Sequence, residues 1–548
     1  MTPDTVVNPP DPQTVERLQE ILSAGRAGNH QRAADLAGSA IEDGVRHPLP
    51  FRVRAAWHIR HKRFEEALED LQSLSAFGAN DPMAYDMVGH CLTMLNRPHE
   101  AVQAFDAAIL LAPNLPEIHF HRAIALGVLN QTEAMRGAFE SVIALKADHT
   151  EALAGLAFLV ARAGEAQAAR SLGERALARD PRQASALVAL AIADMIDGEH
   201  ESAARKLDDA VGRPNAEGDG RLNMALGFAA DAWDRQGRPQ DAFALYTTLN
   251  DRRRDRHAAH FAENRAVDDV RRQIAYFARS NPWPPARDCP TLPGRPDGHV
   301  FLLSFVRSGT TLLETVLASH PGIVAIDEID FLADAAHAFL ESDSGLDELA
   351  TLDDQAIDQW RHRYWSGAAG RGVALAGKVF VDKLPFNSLR LPLIARLFPT
   401  AKVILAVRDP RDVVFSTFRH RFNIYPSSFE FLRLDDCAQY YSAVMELVAV
   451  CRNKLPIALR EHRYEDMVAD FETAVRAICV FLGIEWTDRM LKFGDAARGI
   501  DRRSQSARQV SQGLYQGGAG QWRRYHAQLA PVLPVLAPWV ERFGYPPE

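Results

Sequence analysis

The 548-residue chain is poor in cysteine, has no long apolar run and carries no excess of positive charge. Its five cysteines, Cys91, Cys289, Cys437, Cys451 and Cys479, are scattered, with no Cys-x-x-Cys spacing and no accompanying histidine set. That pattern argues against a disulfide framework and against structural zinc, which need paired or closely spaced thiols. No stretch approaches the ~20 apolar residues of a membrane helix. The opening Met1-Thr-Pro-Asp-Thr-Val-Val-Asn-Pro-Pro10 lacks the basic patch and apolar core of a secretory leader. The expectation is a cytoplasmic protein with no membrane span. A formal charge of −9 argues against a nucleic-acid or other polyanion binder, although a few arginines at helix ends can still hold one anionic ligand. With 47% hydrophobic and 24% charged residues, the chain can fill two sizeable cores.

The most telling stretch that is present runs from Val300 to Thr311, a short apolar segment followed by Arg307-Ser308-Gly309-Thr310-Thr311 and then an apolar-periodic run. It predicts a buried strand, a tight turn and a helix whose orphan N–H groups and dipole favour an anion. A nucleotide triphosphatase loop would add a Gly-Lys-Ser/Thr end, with the lysine on the outer phosphates. Here no such lysine exists, and an arginine precedes the glycine. About a hundred residues on, Ala401–Val407 reads as a second buried strand. Arg408 stands at its end, and Ser416 lies about two helical turns further on. Both motifs fall at the carboxyl ends of predicted parallel strands, where open α/β sheets bind ligands.

The first 250 residues follow a different rule. Alanine or serine recurs at 33, 67, 101, 134, 168, 202 and 242, with intervals of 34, 34, 33, 34, 34 and 40. That is a tetratricopeptide period. Gly28, Gly164, Gly198 and Gly237 precede several of these anchors as turn residues, and Pro113 and Pro181 stand where second helices should stop. Gly89 occupies the slot where one helix packs closely on its partner. Stacked helix pairs make a superhelical groove suited to a peptide or partner segment. Tyr85, His119, His121 and the basic run Arg252–Arg256 are the candidates for a partner surface.

The Arg307–Thr311 loop resembles the 5′-phosphosulfate loop of sulfotransferases that use 3′-phosphoadenylyl sulfate (PAPS). Arg-Ser-Gly-Thr-Thr-Leu, a helix, His320-Pro321 and the acidic pair Asp327-Glu328 are similar to the tyrosylprotein sulfotransferase branch. Solenoid and transferase on one alanine- and arginine-rich chain look like bacterial tetratricopeptide-repeat sulfotransferases. The resemblance implies PAPS as donor, 3′-phosphoadenosine 5′-phosphate (PAP) as product, no metal, and an acceptor hydroxyl that could belong to a protein tyrosine, a saccharide or a small molecule. It implies that Arg307, Ser308, Gly309, Thr310 and Thr311 hold the 5′ end of the donor, with Arg307 also counted among the catalytic residues. Arg408 and Ser416 would hold the 3′-phosphate. Glu328 would be the base and Lys383 the cation on the leaving phosphate. Tyr464, in Arg463-Tyr-Glu-Asp466, and Ser506 would lie near the nucleotide, and Asp327 and Asp382 are possible ion-pair partners. One departure is that Tyr515-Gln516 stands before Gly517 where the cytosolic small-molecule enzymes carry Arg-Lys. Arg508, Arg523 and Arg524 are the available substitutes.

The expected architecture is a multi-domain chain. Residues 1–19 form a disordered N-terminus, 20–250 an all-α tetratricopeptide solenoid, 251–297 a bridging helix with a Pro-rich linker, and 298–548 an α/β P-loop-like sulfotransferase domain with a central parallel sheet. One long amphipathic helix is expected over about 255–280. Two other functions stay open at this point: an inactive repeat scaffold, and a P-loop kinase-like phosphotransferase. The missing loop lysine counts against the second.

Overall fold

The computed structural model describes residues 11–547 except 76–80, 130, 212–218, 262–264, 285, 288–295, 373 and 495–517. The chain divides into two units, Met1–Gln236 and Gly237–Glu548.

In the first unit helices follow one another from Pro12–Arg26 to Asp219–Arg235. Each packs on the helix before and the helix after it, and first helices of successive pairs, such as Pro82–Met94 and Pro116–Val128, also touch. Several begin with proline, at 48, 82, 98 and 116, where the missing N–H has no intrahelical partner to lose. The helices that precede Pro113 and Pro181 stop at Leu111 and Arg179. A left-handed residue makes the turn within five of the pairs, at Gly28, Lys62, Asn96, Gly164 and Gly198. These positions keep a strict 34-residue step; its remaining member, 130, lies outside the described residues. Gly89 sits against Phe105, whose ring a Cβ there would approach to 2.6 Å.

Two expectations for this unit change. The small-residue anchors in the middle repeats are one position later than the sequence suggested. Ala33, Ala67, Ala101, Ala169 and Ala203 are buried, whereas Ala134 is exposed and Ala168 and Ser202 are half-buried. One residue turns a helix by about 100°, so Met135 takes the fourth anchor position, with its side chain 3.2 Å from where a Gly127 Cβ would stand. The stretch 1–19 also contains ordered structure. A helix starts at Pro12, because the Asp11 carboxylate accepts from the Gln13 and Thr14 N–H groups at 2.9 and 3.0 Å.

The second unit opens with two helices, α1 (Pro239–Phe261) and α2 (Ala266–Arg279), in place of one over 255–280. Arg265 is extended, with φ −81° and ψ 129°, which no helix passes through. The basic run is not a free surface. Arg253 donates to the Phe422 carbonyl, and Arg254 pairs with Asp436 at 2.6 Å. Beyond α2, Trp283 donates its backbone N–H to the Lys454 carbonyl at 2.9 Å, so the start of the proline-rich connector is fastened down.

Among the described residues five parallel strands follow: β1 (Gly298–Ser304), β2 (Ile323–Asp327), β3 (Val379–Lys383), β4 (Lys402–Val407) and β5 (Ala458–Arg463). Their order is β2-β3-β1-β4-β5. β1 pairs with β3 on one side and β4 on the other, and residues such as Phe301, Leu302 and Val403 are fully buried, as central parallel strands require. One face of the sheet, with Val300, Leu302, Val381 and Ile404, packs on Leu313, Val316 and Ile478. The chain leaves β1 toward β2 and β3 and later crosses to β4, so the strand order reverses between β1 and β4. That reversal opens a crevice at the carboxyl ends of these two strands.

Candidate functional site

The crevice is a cleft of about 330 Å³. Its floor is the turn after β1. Arg307 and Gly309 are both left-handed, at φ 68° and 89°, and Gly309 caps helix α3 (Thr310–Ala318). Glycine is required at 309 twice over: by its backbone angle and because a Cβ would come 2.7 Å from the Tyr464 ring. At Arg307 the same backbone region costs about 1–3 kcal/mol, and strain of this kind collects at functional sites. The turn aims the free N–H groups of α3 into the cleft, beside the Thr310 and Thr311 side chains.

Cations gather over that turn. Arg408, at the end of β4, donates to the Arg307 carbonyl at 3.0 Å and to the Gly518 carbonyl, and its guanidinium lies 5.5 Å from the Tyr464 ring centre. Its Nε is buried without a hydrogen-bond partner. Arg307 Nε donates to Ser416 Oγ at 3.2 Å across 109 residues of sequence. Arg419, just past helix α4 (Pro410–Phe418), donates to Gln521. Burial, then the neighbouring Arg408 and Arg419, bring the Arg307 guanidinium down to about 10, against a smaller upward pull from Glu328. Burial and the arginines around it likewise hold His420 neutral, down to about 3. Like charges crowded in a half-dry cleft are what a polyanion relieves.

On the other wall stands an ion pair. Glu328, immediately after β2, is left-handed at φ 47°, and its N–H donates to the Lys383 carbonyl at 2.9 Å. β2 and β3 are in register with Asp327 opposite Lys383, which brings Glu328 and Lys383 to the same sheet edge. Lys383 Nζ donates to Glu328 Oε1 at 2.8 Å and lies 3.7 Å from Glu314 Oε2. Lys383 and Glu314 are 1% exposed and the Glu328 side chain 57%, so only the outer carboxylate faces the cleft. Leu384, Pro385, Phe386, Phe422 and Tyr425 make this wall largely apolar. Burial, with a smaller push from Glu328, raises the Tyr425 phenol to about 12.

The C-terminal segment closes the cleft. Asp412 on α4 accepts from the Gly520 and Trp522 N–H groups at 2.6 and 2.8 Å, and Arg411 stacks 3.9 Å over the Trp522 ring. Gly518 and Gln521 are thereby held in the lining. A Cβ on Gly518 would meet the Tyr464 hydroxyl at 2.7 Å, so the Tyr464 ring sits between two glycines.

Of the residues singled out from sequence, Arg307, Gly309, Thr310, Thr311, Glu328, Arg408, Ser416 and Tyr464 line this one cleft. Ser308 is buried in the turn, and Lys383 reaches the cleft through Glu328. Ser506 and Arg508 lie outside the described residues. Arg523 and Arg524 are exposed and absent from the lining, while Arg419, which sequence reasoning missed, is in it. The cluster Arg419-His420-Arg421 beside Ser416 was the available signal. Glu314 was also missed, because an acid inside an apolar-periodic helix reads as a solvent-facing position. Asp382 does not reach the cleft. It accepts from Tyr364 at 2.7 Å in a buried network with Asn387. Of the proposed partner surface, His119 and His121 engage the Pro113 carbonyl and Asp86 at 2.8 and 2.7 Å, and Tyr85 is exposed.

Residues 299–488 match the sulfotransferase family model. An uncharacterized protein of Aquifex aeolicus is 26% identical over 325 residues, 55% of this chain and 42% of that protein. Protein-tyrosine sulfotransferase 1 of Danio rerio is 26% identical over 260 residues, covering 45% of this chain and 72% of the enzyme. Among solved structures, YrrB, a TPR protein with an unusual peptide-binding site, aligns with 35% of this chain and 97% of its own at 21% identity and a TM-score of 0.30. A tetratricopeptide repeat protein of Parabacteroides merdae aligns with 43% and 91% at 14% identity and a TM-score of 0.35. The chain carries a helical-repeat region with a 34-residue step, followed by a domain whose residues 299–488 match the sulfotransferase family model and which is distantly similar to protein-tyrosine sulfotransferases.

Proposed function

We propose that the chain transfers a sulfuryl group from PAPS to an acceptor hydroxyl and releases PAP. The observation that carries this reading is the convergence in one cleft of two opposed sets. One is a phosphate-sized turn crowded by Arg307, Arg408 and Arg419; the other is the Glu328–Lys383 pair. The residues fit the donor. The N–H groups of α3 with Thr310 and Thr311 suit its 5′ end, and Arg408, with an unused buried Nε, suits the 3′-phosphate together with Ser416. The Tyr464 ring suits the nucleotide beside them. When bound, the donor supplies the activated sulfuryl group.

Glu328 accepts the proton of the acceptor hydroxyl as that oxygen bonds to sulfur. Lys383 leaves Glu328 and places its charge on the bridging oxygen, where negative charge grows as the sulfur–oxygen bond to the phosphate breaks. The pair must therefore separate for catalysis, while the buried Glu314 carboxylate stands 3.7 Å from Lys383 Nζ as its second partner. The apolar, aromatic wall around Glu328 favours a phenolic hydroxyl, a peptide tyrosine included. The repeat region has none of the cleft's chemistry, and we assign it to recruiting a protein or peptide acceptor or partner. A cytoplasmic location accords with the buried free thiols Cys91, Cys437, Cys451 and Cys479.

Calorimetric titration with PAP, and separately with magnesium-ATP, tests the reading. Binding of PAP without magnesium-ATP is the expected outcome; the reverse would make the domain a phosphotransferase.

A further inference from the structure

Helix α1 precedes every sulfotransferase motif in the sequence, yet it grips the wall of the cleft. Asn250 is 2% exposed, and its side-chain amide donates to the Phe418 carbonyl at 2.7 Å. Phe418 is the last residue of α4, so its carbonyl has no intrahelical partner and Asn250 caps it from a distant helix. One turn along α1, Arg253 donates to the Phe422 carbonyl. The residues spanned by these two bonds include Arg419, His420 and Phe422, all of which line the cleft, and Tyr425 follows beside Glu328. Phe243 stacks on Phe418 at 5.3 Å, and Arg254 lies 5.0 Å over Phe429, so α1 holds this segment before, within and after the lining residues.

We propose that Asn250 and Arg253 are positioning residues for the acceptor-side wall, and that α1 is a working part of the transferase site. This rests on the sulfotransferase reading. The segment 419–425 is otherwise a connection with little regular structure, ending in a four-residue helix at Pro426–Phe429. Its two carbonyl anchors fix where the aromatic wall stands relative to Glu328. The donor turn after β1 is held by other contacts, from Arg408 and Tyr464, and Arg419, the donor-side cation within the segment, keeps its own bond to Gln521. Loosening the anchors should therefore affect the acceptor more than the donor. Arg253 is two-sided, since its guanidinium faces Arg421 and burial with that neighbour lowers it to about 10. The experiment must separate its hydrogen bond from its charge.

The test uses the full chain, with PAP binding by calorimetry, 4-nitrophenol as probe acceptor, and hydrogen exchange across 415–425. Arg253→Ala and Asn250→Ala should each raise the KM for 4-nitrophenol about tenfold, with a smaller change in kcat and PAP affinity within about twofold of wild type. Exchange should quicken over 415–425 and not in β1 or α3. Arg253→Gln retains a donor without charge and should recover most of the KM, while Asn250→Asp, which cannot donate, should not. A fall in PAP affinity as large as the KM change, or an Arg253→Gln variant as impaired as Arg253→Ala, would overturn the proposal. Unchanged exchange over 415–425 in Asn250→Ala overturns it as well, including in a protein that leaves 4-nitrophenol untouched. Failure of the wild type to bind PAP is a separate result that removes the functional reading.

Discussion

On the proposed function, Arg408 and Glu328 divide the chemistry between binding and turnover. Removing the Arg408 guanidinium should weaken PAP binding about ten- to hundredfold, the usual cost of a lost charge-assisted contact. A folded Arg408→Ala chain with wild-type affinity in calorimetry would show that the 3′-phosphate lies elsewhere. Glu328→Gln keeps shape and loses the proton acceptor, so single-turnover sulfation should slow by about 10²- to 10⁴-fold while PAP still binds. Asp382 makes a prediction about pH. Burial raises its carboxyl to about 7 from 3.8, opposed by the Tyr364 hydrogen bond. The folded chain therefore keeps a proton that the unfolded chain loses above about pH 4, and stability falls as pH rises toward about 7, by up to ~4 kcal/mol. Asp382→Asn has no proton to lose. In denaturant titrations its midpoint should gain on the wild type between pH 5 and pH 8, and a constant offset would contradict the assignment.

At the scale of elements, the turn after β1 depends on one glycine wedged against one tyrosine. Gly309→Ala must place a methyl 2.7 Å from the Tyr464 ring at φ 89°, so it should abolish PAP binding and lower the melting temperature. Tyr464→Ala combined with Gly309→Ala relieves the clash and should restore part of the stability but not the binding. The same turn shows what sequence made legible. Strands β1 and β4 were readable because a strand buried on both faces is apolar throughout, and Arg307 and Arg408 because they interrupt such runs. Glu314 and Arg419 were not, since their neighbours come from elements 69 and 102 residues away, at Lys383 and Gln521. In the repeats, Gly28 and Gly164 announced their turns through composition, while Lys62 and Asn96 hold the same backbone with ordinary residues. The anchors at 134, 168 and 202 misled by one residue, because alanines abound on both sides of the buried stripe.

For the whole molecule, the place where the second unit begins decides what can be cut away. A fragment of 237–548 retains α1 and should bind PAP with the affinity of the full chain. A fragment of 270–548 loses Asn250, Arg253 and the pairing of Arg265 with Glu430, and should melt lower or aggregate. If the repeats recruit the acceptor, 237–548 should turn over the natural acceptor more slowly than the full chain while treating 4-nitrophenol alike. Undiminished turnover would end that role.

The wiring of the cleft also sets an order of events during synthesis. Each helix pair of the repeat region packs on its sequence neighbours, so it can form as it leaves the ribosome. The cleft needs residues 307, 328, 408, 464 and 521 together, spread over the 214 positions from 307 to 521. Contacts of such long range form late. If the repeats recruit a partner, a nascent chain can therefore hold it before the cleft can take up a donor.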